Sequence, residues 1–192
     1  AYKDGLTQDN PAAKLDILKR RDGDSVARRP FTRNELSTLM ENASGEWRGL
    51  ILFGLYTGQR LRDLARLTWQ NIDLQKEELH FVTGKTGRRM HLPLAAPLHK
   101  YLLSLPASDE PSAPLFPDSH KIASGNAGDS RLSQQFHGIL VTASMADARS
   151  KEATGNGRTL RRTISPISFH SLRHTATSLL KNAGVSEAVA MD

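Results

Sequence analysis

From Phe31 onward the apolar residues fall into short periodic stretches, and the period changes near residue 79. Leu36, Leu39 and Met40 share one helical face. Thr32 followed by Glu35 forms a capping box ahead of them, with Phe31 placed to staple onto Leu36. A second helix, about Glu46 to Tyr56, is apolar nearly all round (Trp47, Leu50, Ile51, Leu52, Phe53, Leu55), the pattern of a buried central helix ended by Thr57-Gly58. A third, Arg60 to Leu67, buries Leu61, Leu64 and Leu67. The alternation then becomes strand-like: Leu79 to Thr83 and Arg88 to Leu94 predict two strands joined by the turn Gly84-Lys85-Thr86-Gly87, with Met90, Leu92 and Leu94 on one face. Leu98 to Leu105 is helical, Pro106 to Gly128 reads as loop, and Leu132 to Met145 is helical again. Residues 149–168 are irregular and carry Arg149, Lys151, Arg158, Arg161 and Arg162. A last clear helix runs from His170 to Asn182, with Leu172, Ala176, Leu179 and Leu180 as its apolar stripe, ended by Gly184, with Ser186 capping a further one. The expected fold is mainly α with a small antiparallel β-sheet, an α+β domain.

The first thirty residues do not fit this pattern. Asn10-Pro11, Lys19-Arg20-Arg21, Asp22-Gly23 and Arg28-Arg29-Pro30 cannot build a core, and read as an extended basic linker or arm joined to a further domain. Residues 31–192 then form one domain. Lys and Arg exceed Asp and Glu by 26 − 20 = +6. That balance favours polyanionic partners, although charge alone fits a slightly basic soluble enzyme equally well. The absence of cysteine excludes disulfides, thiolate metal sites and thiol nucleophiles. The longest apolar run, Leu50 to Tyr56, is interrupted by Gly54 and too short to span a bilayer, and the N-terminus does not have the form of a signal peptide. A soluble, cytoplasmic protein with no membrane partner is the expectation.

Three places carry candidate chemistry. On the last helix, His170, Arg173, His174, Thr177 and Lys181 fall at i, i+3, i+4, i+7 and i+11 and line one polar face. Two imidazoles and a guanidinium there suit a phosphate: the arginine fork holds two oxygens, and a histidine exchanges a proton near neutral pH. The alternative is a solvated face that happens to hold two histidines. A zinc reading lacks the glutamate that a metalloprotease helix needs after its first histidine; that position is Ser171. Arg60 follows Thr57-Gly58-Gln59 at a helix start, where exposed N–H groups also favour an anion, and Asp63 one turn later can fix its rotamer; an ordinary exposed ion pair is the alternative. Gly84-Lys85-Thr86 is not a nucleotide-binding loop, because Leu79 stands where the motif requires glycine and a strand follows. It leaves Lys85 exposed at a hairpin tip, free to reach a ligand or present only for solubility.

Taken in order, the motifs resemble those of the tyrosine recombinases, the phage integrase family. Thr57-Gly58-Gln59-Arg60-Leu61-Arg62-Asp63-Leu64-Ala65-Arg66-Leu67-Thr68-Trp69 with Asn71-Ile72-Asp73 is similar to that family's first box. Gly84 to Gly87 lies where the family has its lysine hairpin, and Phe169-His170-Ser171-Leu172-Arg173-His174 matches its second box, H-x-x-R. The resemblance implies a site-specific recombinase that cuts and rejoins double-stranded DNA through a 3′-phosphotyrosine, self-associating on DNA in the cytoplasm of a bacterial cell, with no cofactor or metal and with the linker of residues 1–30 leading from an N-terminal DNA-binding domain. Arg60 and Arg173 would clamp the scissile phosphate. Lys85 would protonate the leaving 5′-oxygen, and His170 would assist proton transfer or hydrogen-bond the phosphate, with Asp63 in support. Arg88, Arg89, His174 and Thr177 are the further candidate DNA contacts. The family's tyrosine nucleophile lies beyond Arg173, whereas Tyr2, Tyr56 and Tyr101 all precede it. The expectation is therefore a catalytic domain incomplete at its C-terminus and inactive in strand cleavage by itself. A DNA-binding module with the same fold but no chemistry, and a type IB topoisomerase, are the alternatives.

Overall fold

The computed structural model describes residues 28–106, 108–148, 165–182 and 184. In chain order these residues form α1 (Arg33–Asn42), α2 (Glu46–Thr57), α3 (Leu61–Ala65), a short 3-10 turn (Trp69–Asn71), β1 (Ile72–Asp73), β2 (Glu78–Val82), β3 (Arg89–Pro93), α4 (Ala96–Leu103), α5 (Pro117–Ser124), α6 (Gly128–Thr142) and α7 (Phe169–Asn182). No helix among the described residues is long and apolar enough to cross a membrane.

The sequence pattern explains most of these elements. At the start of α1 the Thr32 hydroxyl accepts from the Glu35 amide at 3.3 Å, and the Glu35 carboxylate accepts from the Thr32 amide at 2.8 Å. Two otherwise orphaned donors are satisfied reciprocally. Phe31 before this box is buried, and Leu36 packs against the same core. Helix α2 is the axis of the domain: Leu50, Ile51 and Phe53 lose all solvent contact, and α3, α4 and α7 pack around it. Phe53 meets Phe116 edge-on at 5.8 Å, while Phe136 lies between Trp47 at 5.8 Å and Phe169 at 5.2 Å. Burying each such phenyl stabilises the fold by roughly 2–3 kcal/mol relative to exposure. These rings tie α5, α6 and α7 to α2.

The sheet is antiparallel in the order β1-β2-β3, with Leu79 opposite Leu92, Phe81 opposite Met90 and Val82 opposite Arg89. Met90 and Leu94 are buried and Leu92 is half-buried, the alternation expected of this strand.

Five expectations change. The sheet has a third strand, β1, whose two residues pair as Ile72 with Leu79 and Asp73 with Glu78. The stretch 106–128 contains helix α5; Pro117 fits its first turn, and the Glu46 carboxylate accepts from the amides of Asp118 and Ser119, both at 2.8 Å. Helix α6 runs Gly128–Thr142, four residues earlier than its apolar spacing suggests. Its polar first turn is held by Asp129, 3.4 Å from Arg62. On α7 the buried face is Phe169, Leu172 and Thr175, whereas Leu179 and Leu180 are exposed, because the helix meets α2 through its first two turns. The third helix is shorter than Arg60 to Leu67, with Arg60 outside it as the cap residue. The basic stretch from Arg149 to Arg162 and the cap at Ser186 lie outside the described residues.

Candidate functional site

The site is built where α2 and α7 pack together. Gly54 makes that approach possible: a Cβ there would stand 2.7 Å from Phe169 Cζ and 3.0 Å from Leu172 Cδ1. One turn on, α2 ends at Gly58, in the left-handed conformation at φ 63°, with its amide donating to Gly54 O at 3.1 Å. A Cβ at residue 58 would lie 3.7 Å from Arg173 Cγ, so the chain leaves α2 alongside the Arg173 side chain. Two residues later Arg60 caps α3 in extended conformation. The sharp turn at Gly58 and the approach at Gly54 thus bring Arg60 beside α7, although 113 positions of sequence separate Arg60 from Arg173. Helix α3 is little more than one turn, so the guanidinium charge outweighs any helix dipole here.

Asp63 joins the lysine hairpin to this corner. Its side chain is 8% exposed; Oδ2 lies 3.9 Å from Arg60 Nη1, and Oδ1 accepts from the Gly84 amide at 2.9 Å. The hairpin closes on Thr83, whose amide donates to Arg88 O and whose carbonyl accepts from the Gly87 amide, both at 2.9 Å. The Thr83 hydroxyl accepts from the Arg88 amide at 3.1 Å and meets the Thr86 hydroxyl at 2.7 Å. Lys85 stands exposed at the tip of this ordered turn, and Arg88 and Arg89 are exposed on its returning arm.

On α7, His170 and His174 are exposed and stack edge-to-face with centroids 5.0 Å apart. Arg173 is half-buried beside them. Burial lowers the His170 pKa below its ordinary value of 6.5, and the positive surroundings contributed by His174, Arg28, Arg173 and Arg60 lower it further. His170 is therefore neutral at neutral pH, with one ring nitrogen free to accept a proton. The Thr177 hydroxyl donates to Arg173 O at 3.0 Å, so its proton serves the helix. Ser171 secures the first turn by accepting from the Ser168 amide at 3.1 Å, a role for the residue that displaces the zinc-site glutamate. No group of three or more metal-ligating side chains occurs among the described residues.

Arg60, His170 and Arg173 thus come together, and Asp63 anchors the base of the Lys85 hairpin to the same corner. Sequence spacing does not single out Arg28 within the basic arm before Phe31; in the fold its charge acts on His170. The adjoining residues hold it there: the Arg29 amide donates to Pro166 O at 3.2 Å, and the Phe31 amide donates to Thr175 Oγ1 at 2.9 Å.

Comparison with known proteins gives a consistent answer. A model described as the phage integrase family matches residues 29–192. Prophage integrase IntR of Escherichia coli (strain K12) is 32% identical over 76 residues, covering 40% of this chain and 18% of that protein. Among solved structures, a lambda integrase(75-356) dimer bound to a COC' core site aligns with TM-score 0.63 and 20% identity, covering 98% of this chain and 63% of that one. An integrase from mycobacterium phage Brujita aligns with TM-score 0.61 and 18% identity, covering 98% and 55%. The chain therefore spans only part of the length of each relative, and the structural likenesses establish the shared fold.

Proposed function

The chain belongs to the phage integrase family, and on that premise we propose that it is the catalytic part of a site-specific recombinase, cutting and rejoining double-stranded DNA by transesterification. A tyrosine hydroxyl attacks the scissile phosphorus, the new O–P bond forms as the P–O5′ bond breaks, and the 5′-oxygen leaves with a proton. Negative charge grows on the non-bridging oxygens, and fixed cations stabilise it most where water is excluded. Arg60 and Arg173 supply those cations as two planar forks. Lys85 delivers the proton to the leaving oxygen from its hairpin tip, and neutral His170 takes one from the attacking hydroxyl. Asp63 is a positioning residue, holding the hairpin base near Arg60. Arg88, Arg89 and His174 contact flanking phosphates, and by analogy with the lambda integrase dimer on its core site the protein self-associates on DNA.

The observation that carries this reading is the convergence of Arg60, His170 and Arg173 through the α2–α7 contact at Gly54 and Gly58. The nucleophile is a tyrosine outside these 192 residues. Tyr56 is exposed on α2. The half-buried Tyr101 packs against Gly49, and its hydroxyl is pushed above its ordinary pKa by burial and by Glu46, so it is not poised to ionise. The test is a denaturing gel of labelled, nicked duplex DNA incubated with the 192-residue chain and with a chain continued through the following tyrosine. The expected result is a protein-linked band only from the longer chain, abolished by Arg60→Ala or Arg173→Ala. A band from the 192-residue chain would refute the placement of the nucleophile, and an undiminished band from both arginine variants would refute the phosphate clamp.

A further inference from the structure

Arg28 and Arg29 are adjacent in sequence and differ in employment. Arg29 is committed inside the protein: its guanidinium forks onto both Glu35 carboxylate oxygens, at 2.6 and 2.8 Å, and also donates to Pro30 O at 3.1 Å. That bidentate pair holds the Glu35 carboxyl at a pKa of about 2. Arg28 is exposed and makes no ion pair or hydrogen bond among the described residues.

The backbone that carries Arg28 is fixed at three points. The Arg29 amide is bonded to Pro166 O, four positions ahead of His170, and the Phe31 amide to Thr175 Oγ1, on the second turn of α7. The Arg29–Glu35 fork fastens the same segment to α1. The Cα of Arg28 lies about 3.8 Å from that of Arg29, so residue 28 emerges beside the approach to α7. Its charge acts on His170 together with those of Arg60 and Arg173. A cation held beside two other arginines, with no carboxylate of its own among the described residues, adds to a local field that only an anion relieves.

We propose that Arg28 is a third guanidinium of this phosphate-binding surface, contacting a DNA phosphate and seated there by the Arg29–Glu35 fork and the Pro166 and Thr175 hydrogen bonds. The inference rests on the DNA-binding reading above and adds a residue to it. Structural and binding roles divide between neighbours: Arg29 locks the segment to the domain, and Arg28 faces the ligand.

The experiment measures affinity of the full chain for a short DNA duplex across a salt series, for the unaltered protein and for Arg28→Ala, Arg28→Lys and Arg60→Ala. A residue that neutralises one phosphate contributes about one to the slope of log affinity against log salt. Arg28→Ala should lower that slope by about one without moving the thermal midpoint, and Arg28→Lys should restore the slope. The His170 titration followed by NMR should also rise in Arg28→Ala, since a neighbouring cation is gone, an effect that a merely structural residue would not produce. An unchanged slope in Arg28→Ala beside a reduced slope in Arg60→Ala would overturn the role of Arg28 alone. Unchanged slopes in both would overturn the phosphate-binding reading and this inference with it.

Discussion

His170 shows how position along a helix becomes chemistry. Its imidazole shares a helix face with His174 and Arg173, and folding adds Arg60 and Arg28 to its surroundings. Each cation makes a second positive charge costly, and partial burial acts in the same direction. The folded pKa therefore lies below the unfolded value of 6.5. The sign of the linkage follows: above 6.5 the ring is neutral in both states and stability is at its full value, and stability falls as pH drops from 6.5 through the folded pKa, where only the unfolded chain gains the proton readily. A bound phosphate reverses the local field and raises the same pKa. DNA affinity should therefore increase as pH falls from about 7.5 to about 6, with proton uptake on binding, and His170→Asn should flatten the dependence. Affinity measured by fluorescence anisotropy over that range checks it; an identical pH profile for protein and variant would remove His170 from the phosphate site. The candidate residues Arg60, Lys85, His170 and Arg173 can be picked out in the sequence because each sits in a short local motif. Arg28 cannot, because its place depends on hydrogen bonds to Pro166 and Thr175, which are far away in sequence. The same holds for the Asp63–Gly84 bond: the sequence suggests an Arg60 partner at i+3, but it does not say that the second carboxylate oxygen holds the hairpin.

At the scale of elements, the legible parts are those whose signal is local. The capping box at Thr32, the all-round apolar run of α2, the glycine stop at Gly58 and the alternation across Met90, Leu92 and Leu94 each state an element within a few residues. The missed parts depend on partners elsewhere. Strand β1 is two residues long and exists only through its pairing with Leu79 and Glu78. Helix α5 sits in a Pro- and Ser-rich stretch, and its first amides are satisfied by Glu46, more than seventy positions upstream. Leu179 and Leu180 continue the apolar spacing of α7 past the point where α2 is there to cover them. The α2–α7 contact carries the site, and Gly54 lies in it directly against Phe169 and Leu172. Gly54→Ala should gain about 1 kcal/mol in helix propensity, but its methyl group would collide with the Phe169 ring. Overpacking costs typically 1–3 kcal/mol, and a buried ring wedged between Phe136 and α2 has little room to yield. The expected outcome is net destabilisation of up to about 2 kcal/mol by equilibrium unfolding, with DNA affinity reduced as well because Arg173 shifts relative to Arg60. A variant as stable as the parent, with undiminished affinity, would mean that the helices tolerate a wider spacing and that the contact does not set the site.

For the whole molecule, a net charge of +6 carries little information until the fold distributes it. Twenty-six basic residues against twenty acidic ones would suit many soluble proteins, but here Arg28, Arg60 and Arg173 gather around His170, and Lys85, Arg88 and Arg89 line the hairpin that Asp63 ties to them. Some of the remaining charge is neutralised internally, as in the pairs of Arg29 with Glu35, Arg62 with Asp129 and Lys76 with Asp73. A concentrated patch on an otherwise balanced surface binds DNA mainly by displacing its condensed counterions, so affinity should depend strongly on salt and only weakly on base sequence. If about five of these cations each neutralise one phosphate, the slope of log affinity against log salt is about −4.5, and a fourfold rise in salt weakens binding about 500-fold. The measurement is a titration of a short duplex at 50 to 200 mM salt, repeated with a duplex of scrambled sequence. The two duplexes should give closely similar slopes and affinities for this chain. Replacing Lys76, already paired with Asp73 on the turn between β1 and β2, should leave the slope unchanged, whereas replacing Arg89 should reduce it by about one. A slope near zero would mean that the basic residues do not form a phosphate-binding surface, and the clustering of Arg60, His170 and Arg173 would then need another explanation.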